Sequence, residues 1–150
     1  MNSSNMTDKE QHTFNVGHLM RKLALQLGYS NDFARDMFIL GCCHETPVLE
    51  FKDYQYITEI MNCKNADCKY NSPALTLLNF AEIHIDERGS LIPTKECLET
   101  VEKYYGIDSK EYKKTEALSN RFCTEELEKA LQQIDTSYFD TLEITPIVMG

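Results

Sequence analysis

Residues 7–45, "TDKEQHTFNVGHLMRKLALQLGYSNDFARDMFILGCCHE", carry their apolar side chains at helical spacing and show no strand-like alternation. Val16, Met20, Leu23, Ala24 and Leu27 recur on one helix face, Thr7 and Glu10 form a capping box before it, and Gly28 supplies its stop. Ser30 caps a second helix in which Phe33, Met37 and Leu40 share a face, with His44 four residues past Leu40 on that same face. Pro47 restricts Thr46 and ends it. His12 stands four residues before Val16, in line with the apolar stripe, so it too faces the interior.

The same punctuation continues downstream. A short helix is expected from Tyr54 to Met61, followed by the polar loop "NCKNADCKYN" from Asn62 to Asn71. Ser72 and Pro73 are a cap and a first-turn proline, opening a strongly apolar and hence buried helix through Leu75, Leu77, Leu78, Phe80 and Ala81 to about Ile85. Asp86 to Gly89 ("DERG") is a turn. Thr94 caps a helix carrying Leu98, Val101 and Tyr105 that closes at Gly106; Ser109 and Thr124 cap two more, the second bearing Leu127, Leu131 and Ile134. From Thr136 to Gly150, Phe139, Leu142, Ile144, Ile147 and Val148 cluster around Pro146 in what reads as an extended tail. That tail would pack on the body or on a partner chain, which leaves a homodimer open. The class is all-α: a compact bundle of about six to seven helices over residues 1–135, with the tail at 136–150.

A chain of 150 residues is the size of one domain. With 42% hydrophobic and 26% charged residues it is ordinary globular material, and no apolar run reaches the roughly 18 residues of a membrane span. Met1 to Gln11 is polar, without the basic and apolar regions of a secretory signal, so a cytoplasmic protein with reduced thiols is expected. The six cysteines (Cys42, Cys43, Cys63, Cys68, Cys97, Cys123) then read as structural, and "CKNADC" has the wrong internal spacing for a zinc knuckle. A net charge of -9 argues against a broad surface for a nucleic acid polymer and leaves room only for a small, locally basic pocket. A Gly-rich phosphate loop, a GxSxG elbow and internal repeats are all missing from the sequence.

Three features point to chemistry: the core-facing His12, the His44-Glu45 doublet at a helix end, and Glu82 inside the most apolar helix. A buried carboxylate needs compensation, because desolvating an isolated anion costs several kcal/mol. A divalent cation is one compensation, and mixed imidazole and carboxylate ligands suit Mn²⁺, Fe²⁺, Co²⁺, Ni²⁺ or Zn²⁺. His84 and Asp86, close by in sequence, are the other: they would satisfy Glu82 as a structural network. His18 has the spacing of a surface residue. Arg21, Lys22, Arg35 and Lys52 are the cations considered for a phosphate, each on an expected solvated face.

The run from His12 to Glu45 resembles the start of the HD-domain phosphohydrolases. His12, Val16, Met20, Leu23, Ala24, Gly28 and His44 fall where that family has a first His, its apolar positions, a Gly and the His of a His-Asp doublet. "LLNFAEIHIDERGSLIPTKECLETVEKYYGIDSKEY" (Leu77 to Tyr112) is similar to the family's later segment, in which an Ala-Asp precedes a Gly turn, a helix and an Arg-Tyr-Gly ending. The resemblance implies an HD-like helical fold and metal ligands at His12, His44, Glu45 and Glu82, with Glu45 also the proton acceptor. It further implies a metal-dependent phosphohydrolase acting on a nucleotide or other small phosphate ester. Both aspartates of the family are glutamates here, and each extra methylene moves the oxygens by roughly 1.5 Å. Thr46-Pro47 replaces Ile-Gly, Tyr104 replaces an Arg, and no His lies between Glu45 and Glu82, so one ion is expected rather than two. Two alternatives stay open: a degenerate HD domain serving as a binding or assembly module, and an unrelated helical protein whose acidic surface or C-terminal tail binds another chain.

Overall fold

The computed structural model describes residues 7–45, 54–137 and 139. Its first two helices, α1 (Asp8–Gln26) and α2 (Asn31–Cys43), touch backbone to backbone. A Cβ added at Gly41 would lie 2.4 Å from Cα of Gly17, and one added at Gly17 would lie 2.5 Å from the Phe38 carbonyl oxygen. Only glycine permits that approach. Between the helices, Gly28 takes φ 93°, with its N–H bonded to Leu25 and the Tyr29 N–H to Ala24, the paired bonds of a Schellman stop.

The expected caps are in place. The Thr7 and Glu10 side chains bond each other's backbone N–H reciprocally, and Ser30 accepts from the Phe33 N–H. α3 (Ile57–Asn62) is short, and its buried Glu59 takes hydrogen bonds from Tyr70 and Ser72, tying down the far end of the 62–71 loop. α4 (Pro73–His84), capped by Ser72, is buried on every side, as its apolar run requires. Ser109 and Thr124 cap α6 (Lys110–Phe122) and α7 (Glu125–Gln133). The helix between, α5 (Thr94–Tyr105), starts one residue earlier than expected: Pro93 is its cap, because the Thr94 hydroxyl is bound instead to His84 and Glu128.

These seven helices make an all-α bundle, and among the described residues no strand forms beyond a single Ile85–Leu91 bridge closing the Asp86–Gly89 turn. The main core joins Val16, Met20, Leu23, Met37, Leu40, Leu78 and Phe80 with Leu127 of α7, and Phe139 is buried in it. A smaller core behind α4 joins Leu75 and Ile83 to Leu118 and Phe122 of α6. Residues 137 and 139 have helical backbone; the rest of the expected extended tail, residues 138 and 140–150, lies outside the described residues. So do Thr46 and Pro47, expected to end the second helix, which closes at Cys43 with His44 as its C-cap. All six cysteines are free thiols. No helix among the described residues is long and apolar enough to cross a membrane.

Candidate metal centre

His12 and His44 come to one point because Gly17 and Gly41 let their helices close. His44 lies one turn past Gly41, His12 about one turn before Gly17, and their ring centroids are 6.1 Å apart. Each ring is held by its Nδ1–H, which donates to a backbone carbonyl: Asp86 for His12 at 2.8 Å, Gly41 for His44 at 2.5 Å. Both Nε2 atoms are thereby aimed at the same volume, the arrangement that fixes a ligating imidazole.

Glu82 reaches that volume from the buried face of α4, and Glu45 from the residue after the α2 cap. His12 Nε2 is 2.6 Å from Glu82 Oε1 and 3.5 Å from Glu45 Oε2. His44 Nε2 is 3.1 Å from Glu82 Oε2 and 3.5 Å from Glu45 Oε2. Glu82 is almost fully buried, with 4% of its side chain exposed, whereas Glu45 at 26% forms the mouth. With glutamate at both positions, each carboxylate comes within 3.5 Å of both Nε2 atoms. His84 and Asp86, the alternative partners for Glu82, are engaged elsewhere. His84 bonds Phe80 and Thr94, and the Asp86 carboxylate accepts the N–H groups of Arg88 and Ser90 within its own turn. His18, expected on a surface face, is half-buried, its ring edge-on to Phe14 and Phe38.

Burial pulls the His12 pKa down, but the hydrogen bond to Glu82 and the charges of Glu82 and Glu45 outweigh it, leaving it raised. Burial likewise pushes the Glu82 carboxyl up. The His12 hydrogen bond and the neighbouring His44 and Lys64 groups overcome that and hold it well below the usual carboxylate range. Satisfaction is still incomplete. His44 Nε2 is buried without a hydrogen bond, its 3.1 Å contact with Glu82 Oε2 not being one, while Glu82 Oε2 has the Lys64 ammonium at 3.1 Å as an ionic partner. One ligand atom from each of His12, His44, Glu45 and Glu82 can be chosen so that all lie within 4.8 Å of one another. Four ligand atoms set tetrahedrally about 2.1 Å from one ion stand about 3.4 Å apart, so side-chain shifts of up to about 1.4 Å in the widest pair would complete the shell. This group could hold a metal ion.

Lys64 was not among the cations expected from the sequence. Its ammonium is 3.1 Å from Glu82 Oε2 and 3.8 Å from Glu45 Oε2. Lys64 adopts φ 67°, rare for a non-glycine residue, and its N–H is held by the buried Asn79 amide oxygen at 2.8 Å. Arg121 of α6 braces the rest of that loop through the carbonyls of Ala66, Cys68 and Tyr70. A loop lysine has no periodicity to betray it; the signal available was Asn79, an amide in an apolar helix that had to find a partner. The cluster opens into a cavity of about 1090 Å³ whose wall carries Lys9, Lys64, Arg88, Tyr104 and Tyr105 together with the acidic Asp8, Asp86 and Glu87. Arg21, Lys22 and Arg35 do not line it, Arg35 standing instead 3.8 Å from Asp32, and Lys52 lies outside the described residues.

No family model matches this chain, and no curated protein and no solved structure matches it.

Proposed function

We propose that this chain is a metal-dependent phosphohydrolase for a nucleotide or other small phosphate ester, its His12, His44, Glu45 and Glu82 holding one divalent ion. The observation that carries this reading is the convergence of four ligand groups, one atom from each within 4.8 Å of the others, around the buried His44 Nε2, which makes no hydrogen bond. A carboxylate oxygen and an imidazole lone pair facing each other in a desolvated pocket repel unless a cation or a proton stands between them. The nitrogen and oxygen donors suit Mn²⁺, Fe²⁺, Co²⁺, Ni²⁺ or Zn²⁺.

Such an ion would bring the pKa of a water toward neutrality and draw electron density from a phosphoryl oxygen. The protein's own groups do the rest. Glu82, buried and ionised, fixes the His12 ring through the short Nε2 contact. Glu45, the half-buried carboxylate at the mouth, takes the proton of the attacking water. Lys9, Lys64 and Arg88 on the cavity wall balance the charge of the phosphate. The resemblance of His12–Glu45 and Leu77–Tyr112 to HD-domain phosphohydrolases supports the same assignment, and the free thiols suit a cytoplasmic setting. The test is metal content together with hydrolysis of a panel of nucleoside monophosphates. Purified protein contains close to one ion per chain, and His44→Ala loses both ion and turnover; turnover that survives in metal-free protein would refute the proposal.

One observation favours the alternative of a degenerate HD domain acting as a binding or assembly module. Lys64 already places a positive charge on Glu82 and Glu45, so the cluster has an internal counter-charge. On that reading Lys64→Met destabilises the fold and no ion is taken up by either protein.

A further inference from the structure

A second cavity, of about 670 Å³, adjoins the first and shares Lys64 as a wall. Four lysines, Lys64, Lys110, Lys113 and Lys114, line it against two aspartates, Asp67 and Asp108. In a chain of net charge -9 this is a local reversal of sign. Lys110, Lys113, Lys114 and Ala117 stand at i, i+3, i+4 and i+7 on α6, so they present a single face toward the loop that carries Lys64.

Among the described residues, none of the three α6 lysines has a carboxylate within ion-pair distance. Like charges at this spacing destabilise a helix by a few tenths of a kcal/mol per pair. Of the chain's 24 acidic residues, Asp67 and Asp108 line this cavity against its four lysines, which leaves the lysines in excess. Asn79, the left-handed backbone at Lys64 and the Arg121 brace keep the opposite wall in place. We propose that this cavity is an anion site for a small molecule bearing several linked phosphates, separate from the metal centre and joined to it at Lys64. A chain of phosphates presents oxygens at short intervals to ammonium groups spaced along one helix face, and each contact is a charge-assisted hydrogen bond. A long nucleic acid strand is disfavoured, because beyond the cavity it meets an acidic protein.

The probe is inorganic tripolyphosphate, titrated calorimetrically into the full chain in low salt with chelator and no divalent ion. It binds one per chain, at least about tenfold more tightly than orthophosphate. The triple variant Lys110→Gln/Lys113→Gln/Lys114→Gln weakens it at least about tenfold. The equally charged control Lys22→Gln/Lys95→Gln/Lys129→Gln stays within about twofold. Equal loss in the two triple variants, or equal affinity for orthophosphate, overturns the site. Tighter binding of a single-stranded oligonucleotide of matched charge overturns the small-molecule assignment. His44→Ala leaves tripolyphosphate binding intact. Failure of the metal centre therefore shows as absent ion uptake with lysine-dependent binding retained, and failure of the anion site as the reverse.

Discussion

Replacing Gly41 with alanine sets two effects of opposite sign against each other. Alanine is the better helix former by about 1 kcal/mol, so at a free helix surface the change would stabilise. Here the new methyl group would sit 2.4 Å from Cα and 2.5 Å from N of Gly17. Carbon atoms pack best at about 3.5–4.0 Å, so α1 and α2 must part by roughly 1 Å along their whole contact. Overpacking of this kind costs about 1–3 kcal/mol and sometimes more, and the interface loses contacts besides. The expected net is a loss of about 2 kcal/mol or more, which for a domain of this size lowers Tm by roughly 4–8 °C. Thermal and urea unfolding followed by far-UV circular dichroism and tyrosine fluorescence measure it. Gly17→Ala behaves alike, and the double variant costs less than the two singles together, because one parting of the helices relieves both clashes. A Gly41→Ala protein as stable as the parent would refute the close approach that brings His12 and His44 together.

In the ion-free protein the His12–Glu82 pair gives stability a pH optimum. The raised His12 pKa contributes fully below its unfolded value of 6.5 and is lost as pH rises through the folded value. The lowered Glu82 pKa contributes above its unfolded value of 4.5 and is lost as pH falls through its folded one. Urea midpoints therefore peak between about pH 4.5 and 6.5, and Glu82→Gln flattens both limbs; unchanged limbs in that variant would discount the pair. Asn79→Ala leaves the Lys64 N–H unpaired and should cost about 1–3 kcal/mol, with faster proteolysis within the 62–71 loop as a second readout. Burial beside Glu82 pushes the Cys63 thiol up to about 12, so it should react with a disulfide reagent at pH 8 far more slowly than a peptide cysteine, and equal rates would contradict its burial.

The helices were legible because their ends are written in local chemistry: a Thr-x-x-Glu box, Ser before Pro, and Gly after the last apolar position each act within a few residues. Thr94 misled because its hydroxyl had a stronger claim from His84, a residue of another helix. His12, His44 and Glu82 could be picked out since each interrupts an apolar face where a polar group needs a reason. Lys64 could not, because its position depends on a left-handed backbone and on Asn79, contacts that carry no spacing in the chain. The Gly17–Gly41 contact lay between these cases. A glycine inside a helix invites the question of close approach, but the partner that gives the answer is 24 residues away.

The metal centre is tested most directly by titrating Mn²⁺, Fe²⁺, Co²⁺, Ni²⁺ and Zn²⁺ into untagged, chelator-stripped protein and counting bound ions by calorimetry and elemental analysis. One ion per chain, absent in His44→Ala and in Glu82→Gln, is the expected result. A protein that takes up none of the five, or that takes up the same amount after His44→Ala, would show that His12, His44, Glu45 and Glu82 meet for some other reason than to hold a cation.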